Sequence, residues 1–151
     1  MSKNFIFRDA AISDVDKIIT PLNKEPMLQS IGGQEYSKRE LEEIINDKEM
    51  NIVLIADNEK GMAGFIMGDL IKRRDFSYAD FTAGYVFEEY RRFGLMKKLI
   101  SSFEEKAKER GCVYVHGSIR IKNYNAQKCL KKTGYNFGNR FIHIPKYIGT
   151  E

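Results

Sequence analysis

The chain has 151 residues, 42% hydrophobic and 30% charged, with a formal net charge of +4. That length and balance predict one folded domain over residues 1–151 and exclude a disordered chain. The modest basic excess suits a polyanionic ligand and, by charge alone, a weak hold on nucleic acid.

Cys112 and Cys129 have only His116 and His143 to join them and form no zinc signature, so no metal is expected. No stretch approaches the roughly 20 apolar residues that cross a bilayer. The opening Met1-Ser2-Lys3-Asn4 lacks the apolar run of a secretory signal. The expectation is a cytoplasmic protein with reduced thiols and no membrane partner.

Phe5, Ile6 and Phe7 begin an apolar strand that ends near Arg8 and Asp9. Ser13 is placed to cap a short helix carrying Val15, Ile18 and Ile19 at helical spacing. Pro21 and Pro26 frame a loop, and Ser30-Ile31-Gly32-Gly33 reads as mobile. Ser37 with Glu40 forms a capping box for a second helix, whose buried face is Leu41, Ile44 and Ile45. The apolar run 51–57 is a strand, Asn58 to Lys60 a turn, and Met62 to Ile71 the hairpin partner. Phe76 to Phe87 is a long strand rich in aromatic residues.

Leu95, Leu99, Phe103 and Ala107 recur every four residues and define an amphipathic helix that stops at Gly111. Cys112 to Val115 reads as a short strand. Asn123 to Thr133 reads as a helix burying Ala126, Cys129 and Leu130, and Tyr135 to Ile144 as a final strand. The late strand–helix units need crossovers, so part of the sheet is expected to be parallel, while the early hairpin is antiparallel. Alternation along 76–87 puts Asp80 on the face of Tyr78 and opposite Phe81.

The stretch Val86-Phe87-Glu88-Glu89-Tyr90-Arg91-Arg92-Phe93-Gly94-Leu95-Met96 carries the chemistry. A strand stops, a basic turn with one glycine follows, and a helix starts at once. A helix N-terminus offers free N–H groups and partial positive charge, which together attract phosphate. Gly94 permits close backbone approach, and Arg91 and Arg92 add guanidinium groups suited to phosphate oxygens. Alone, the same turn also fits a solvated basic loop. It is neither a P-loop nor a dinucleotide fingerprint.

This stretch resembles the acetyl-CoA signature of the GNAT superfamily of N-acetyltransferases, Q/R-x-x-G-x-G/A followed by an amphipathic helix. Arg91 and Gly94 match, while Met96 stands where the family has a small residue. Downstream, Asn123, Ala126, Lys132, Gly134 and Tyr135 resemble, in register, the family's N-x-x-A-x-x-x-Y-x-K-x-G-F. Arg8-Asp9-Ala10 leading to Asp14 resembles its start, so the likeness covers nearly the whole chain.

The resemblance implies an α/β domain: a mixed, mostly antiparallel sheet with a splayed parallel strand pair, flanked by helices. It implies acetyl-CoA as co-substrate. The pantetheine arm would be held by the backbone of Val86 and Phe87, the pyrophosphate by Arg91, Arg92, Phe93, Gly94, Leu95 and Met96, and the far side by Asn123. An amine would attack the thioester directly in a ternary complex. Asp80 is the implied base, with Glu88 and Glu89 as alternatives. The family's proton-donating tyrosine falls at Leu130, so either Tyr124 or Tyr85 supplies the proton or the thiolate leaves unaided. Cys129 and Leu130 read as core. Tyr78, Phe81, Tyr85 and Phe87 either line an acceptor pocket or fill the core.

The acceptor is an amine of unspecified class, shaped by the segment from Leu22 to Lys38, and a homodimer is an assembly such a family commonly forms. Two rival readings are an acyl-CoA-binding module without efficient catalysis and a small basic nucleic-acid-binding domain. The chain lacks a recognition helix with a concentrated basic face, so no nucleic-acid partner is expected.

Overall fold

A computed structural model of the chain describes residues 4–28, 34–146, 148 and 149. In chain order the elements are β1 (Ile6–Asp9), α1 (Val15–Lys24), α2 (Lys38–Asn46), β2 (Asn51–Asn58), β3 (Gly61–Lys72), β4 (Ser77–Val86), α3 (Leu95–Glu109), β5 (Cys112–Gly117) and α4 (Tyr124–Lys132). Short 3-10 turns at Ile12–Asp14 and Glu88–Tyr90 lead into α1 and follow β4. The expected mobile portion Ser30–Gly33 lies outside the described residues.

The strands lie side by side as β1-β2-β3-β4-β5. The first three pairings are antiparallel and β4–β5 is parallel, as the crossover argument requires. The β2 run does not alternate because it is buried on both faces. Ile52, Leu54 and Ala56 join Leu95, Leu99, Ile100 and Phe103 of α3 on one face. Val53 and Ile55 join Val15, Ile18 and Leu22 of α1 and Leu41 and Ile45 of α2 on the other.

A bulge offsets β4 against β3. Met67 pairs with Ala83 and Gly68 with Phe81, leaving Thr82 extra. The Thr82 hydroxyl donates to the Met67 carbonyl at 3.1 Å. Gly68 is needed where α3 presses on the sheet, because a Cβ there would lie 2.6 Å from Phe103 Cζ and closer still to the Asp80 carbonyl.

The entry to α1 is tied by an ion-pair network. Arg8 Nη1 and Nη2 grip the two Asp14 oxygens at 2.7 and 2.8 Å, and Arg8 Nε meets Asp57 at 2.6 Å. Burial would raise the Asp14 pKa, but the Arg8 hydrogen bonds and the Ala11 N–H together hold it below the ordinary carboxylate value. Asp14, not Ser13, is the residue before α1, and no side chain caps the helix. Asp14 instead turns back to accept from Ala11 N–H at 2.7 Å, which leaves Ser13 no capping role. Pro21 does not open a loop either. Its buried ring sits inside α1, which runs on to Lys24. Ser37 caps α2 by accepting from Glu40 N–H at 3.1 Å.

Two expectations fail in the C-terminal third. α4 buries no residue fully, and Ala126, Cys129 and Leu130 are only half-buried. Tyr135 to Ile144 forms no strand. A strand needs a neighbour for its N–H and C=O groups, and here Phe141, Ile142 and Ile144 stand about 87% exposed, with no packing to offset the entropy of ordering.

Candidate functional site

Gly94 adopts φ +69° immediately before Leu95. This left-handed conformation favours glycine. A Cβ built on Gly94 would touch nothing within 4 Å, so the space above the turn is open. The first intrahelical bond runs from Lys98 N–H to Gly94 C=O, and no side chain caps α3. The N–H groups of Leu95, Met96 and Lys97 therefore have no partner within the helix. Arg92 also has φ +69°, an uncommon value for a residue with a Cβ. Its strain marks a turn whose shape the surroundings enforce.

Two residues of this turn have partners within the chain. The Arg91 side chain is drawn back onto the sheet: Nε donates to the Val86 carbonyl at 2.9 Å, and the guanidinium carbon lies 5.4 Å from the centre of the Tyr85 ring. Arg91 thus ties the turn to β4. Phe87 has both backbone groups engaged within the chain, donating to Ala63 C=O at 3.0 Å and accepting from Tyr90 N–H at 2.9 Å. Because antiparallel pairs alternate, the bonded Phe87–Ala63 pair leaves the Val86 N–H turned away from β3, toward the β5 side.

Met96 is accommodated by a glycine opposite. Its Sδ and Cε lie where a Gly84 side chain would be, 3.1 Å from a Cβ built there, with Phe81 at 3.3 Å. The thioether packs on the sheet, which leaves the Met96 N–H at the helix end. Phe93 is exposed in the turn and Leu95 is buried beneath it. A basin of about 510 Å³ bounded by Phe7, Gly94, Lys97, Lys98, Ser101 and Ser102 adjoins the turn. Lys97 and Lys98 are basic groups of this site that the motif does not include; their place in the first turn of the helix was the available signal.

β4 and β5 pair only from Ser77↔Cys112 to Phe81↔Gly117. Gly117 allows the last contact, since a Cβ there would lie 2.8 Å from the Phe81 carbonyl. Beyond it β4 continues to Val86 while β5 has ended at Gly117. Asn123 caps α4 by accepting from Ala126 N–H at 3.2 Å, so its side-chain oxygen has a structural role. Tyr124 is exposed at the start of α4, and no described contact joins it to β4 or β5. Burial raises the Cys129 pKa against the weaker pull of Lys132 and Lys97.

Just before the strands part, three side chains stand in one row across the sheet: Asp69, Asp80 and His116. His116 Nδ1 lies 3.6 Å from Asp80 Oδ1. Tyr78 and Tyr114 stack beside the row, with ring centres 5.0 Å apart and planes 3° apart, and Tyr78 lies 4.9 Å from the His116 ring. Asp80 therefore shares a face with Tyr78, while Phe81 points oppositely and meets Phe103 edge-on.

Burial raises the Asp80 pKa and His116 partly offsets it. Asp69 is raised by loss of solvent and by the Asp80 charge. Tyr36, clipped to α1 by two hydrogen bonds with Asn23, is raised by burial and by the charges of Glu40 and Asp69. Glu88 and Glu89 are exposed at the far end of β4. Sequence reasoning found Asp80 but missed Asp69 and His116, which only the sheet register brings beside it. Among the described residues no cluster of His, Cys, Asp or Glu could hold a metal, and no helix is long and apolar enough to cross a membrane.

The Acetyltransferase (GNAT) family matches residues 19–135. No curated protein sequence matches significantly. Among solved structures, a possible acetyltransferase from Clostridium difficile 630 superposes with TM-score 0.78 at 17% identity, covering 96% of this chain and 99% of that one. AAC(6')-Iy in complex with the bisubstrate analog CoA-S-monomethyl-acetylneamine gives 0.77 at 16% identity, covering 95% and 99%. Glucosamine-6-phosphate N-acetyltransferase from Arabidopsis thaliana gives 0.67 at 21% identity, covering 97% and 100%. At these identities the superpositions establish the fold.

Proposed function

Because the chain belongs to the GNAT acetyltransferase family, we propose that it transfers an acetyl group from acetyl-CoA to a primary amine by direct attack in a ternary complex. The observation that carries this reading is the start of α3: free amides, a left-handed Gly94 and open space above it. That cradle fits a pyrophosphate, with Arg92 and the N–H groups of Phe93, Gly94, Leu95 and Met96 around it. Lys97 and Lys98 add positive charge at the adjoining basin.

When bound, acetyl-CoA supplies the activated thioester. The gap past Phe81 and Gly117 admits an extended arm beside β4, where the Val86 N–H polarises the thioester carbonyl. Arg91 holds the Val86 carbonyl, in the peptide that follows that N–H. Asn123 borders the gap from α4. The row that holds Asp80 supplies the basic function that makes the amine neutral. Tyr124, whose ring is free where Tyr85 is packed against Phe65 and Phe87, donates a proton to the departing thiolate. The acceptor approaches over the face carrying Asp69, Asp80 and the tyrosine stack, beside Tyr36.

Calorimetry with coenzyme A tests the cradle. Gly94→Val puts a β-branched side chain at φ +69° and into the phosphate space, and is expected to weaken binding at least about tenfold, or 1.4 kcal/mol. Unchanged affinity would remove the cradle. One observation favours a second reading, a binding module without efficient catalysis: Leu130 stands half-buried where the family carries a proton donor. Thioester consumption with a panel of amino acids, polyamines and amino sugars separates the two. Binding without turnover on any of them selects the module.

A further inference from the structure

The basic function at Asp80 has a second member that no family motif supplies. Val115 packs toward α3, so Tyr114 and His116 point to the opposite face, where Asp80 lies. The His116 side chain is 47% exposed and Asp80 32%, which puts the imidazole on the solvent side of the pair. Nδ1 faces the carboxylate, so Nε2, across the ring, is directed away from it. The Tyr78 ring at 4.9 Å limits the rotation of the imidazole. The pair stands one residue before the point where β4 and β5 separate.

We propose that His116 is the group that takes the proton from the acceptor amine, and that Asp80 is its positioning residue. The proposal rests on the acetyl-transfer reading and deepens it. Asp80 orients Nδ1–H and compensates the positive imidazolium, as a carboxylate does behind a catalytic histidine. The ammonium proton goes to Nε2 and then to water, the freed amine nitrogen forms the new C–N bond, the C–S bond breaks with its electron pair going to sulfur, and the second proton lost from nitrogen balances the one the thiolate takes up. Among the described residues, the titratable groups on this face include Tyr78 from β4, Tyr114 from β5, and Asp69 from β3 with Tyr36 and Glu40 beyond it. α3 packs on the opposite face.

The test is kcat/KM against pH for the wild type, His116→Gln and Asp80→Asn, with acetyl-CoA and whichever panel amine turns over. His116→Gln is expected to lose about 100-fold near neutral pH. The loss should shrink as pH rises and the amine becomes neutral unaided. The acetyl-CoA Kd should stay within twofold of wild type. Asp80→Asn should lose less and keep a histidine-dependent limb in its pH profile. If His116→Gln is poorly folded, His116→Ala assayed with added imidazole replaces it, and imidazole should restore rate in proportion to its unprotonated fraction. A wild-type pH profile in His116→Gln, or no imidazole rescue, overturns the dyad and leaves acetyl transfer standing. A wild type that consumes no thioester with any panel amine overturns both.

Discussion

Strands β1 to β4 and the chain from β5 onward are built on different terms. The first region has apolar layers on both faces, and Ile55, Ala63, Phe65 and Ile66 are wholly withdrawn from water. In the second, β5 is half-buried only at Cys112 and Val115 and exposed elsewhere, α4 buries no residue fully, and Phe141, Ile142 and Ile144 face solvent. The candidate cleft lies along this boundary. The strand bearing Asp80 and the N-terminal end of α3 belong to the well-packed region, while Asn123 and Tyr124 belong to the other. Rigid support thus falls on the proposed site's geometry-bearing groups, and the α4 side opposite them rests on few contacts.

The contrast breaks most visibly in the core. Phe103→Ala removes a fully buried ring that meets Phe81 and the Gly68 backbone, and should cost about 3–5 kcal/mol in urea unfolding. A cost near that of a surface change would mean that α3 is not the keystone of this half. Asp14→Ala leaves Arg8 without its bidentate partner and should cost about 2 kcal/mol. The Asp14 pKa is lowered in the fold, so its contribution is complete above the unfolded value of 3.8 and fades as pH falls through the folded one. Acid titration of wild type and variant should therefore converge at low pH.

Leu130→Ala, in half-buried α4, should cost only about 1 kcal/mol. A loss as large as that of Phe103→Ala would erase the distinction between the two regions. The smallest effect has the opposite sign. The Asp80 pKa is raised in the fold, so the stability it confers is present below 3.8 and lost as pH climbs through the folded value. Asp80→Asn should match or exceed wild-type stability at neutral pH by about 0.5 kcal/mol, even as turnover falls. Thermal melts at two pH values check this.

What could be read from the sequence divides along the same line. The α3 stripe of Leu95, Leu99, Phe103 and Ala107 and the β2–β3 hairpin are local patterns strong enough to survive any tertiary context. Gly94 was legible because a left-handed residue before a helix leaves a chemical signature. Asp69 and His116 were not, since their meeting with Asp80 depends on two separate registers, one parallel and set by a crossover through α3. The bonds of Arg91 to the Val86 carbonyl and of Phe87 to the Ala63 carbonyl were not legible either, because they are geometric facts with no residue code. The segment from Tyr135 to Ile144 has strand-like composition, but composition cannot provide the neighbour that a strand requires.

The missing side chain at Gly68 couples two distant ends of the cleft. The Phe103 ring drops into the notch there, and the Asp80 carbonyl forms its other border. Like a detent in a sliding mechanism, the notch keeps α3 from creeping along the sheet. The height of the helix tip and the attitude of the acid-bearing strand are thereby gauged from one point, and a methyl group added at that point would throw both out of alignment together.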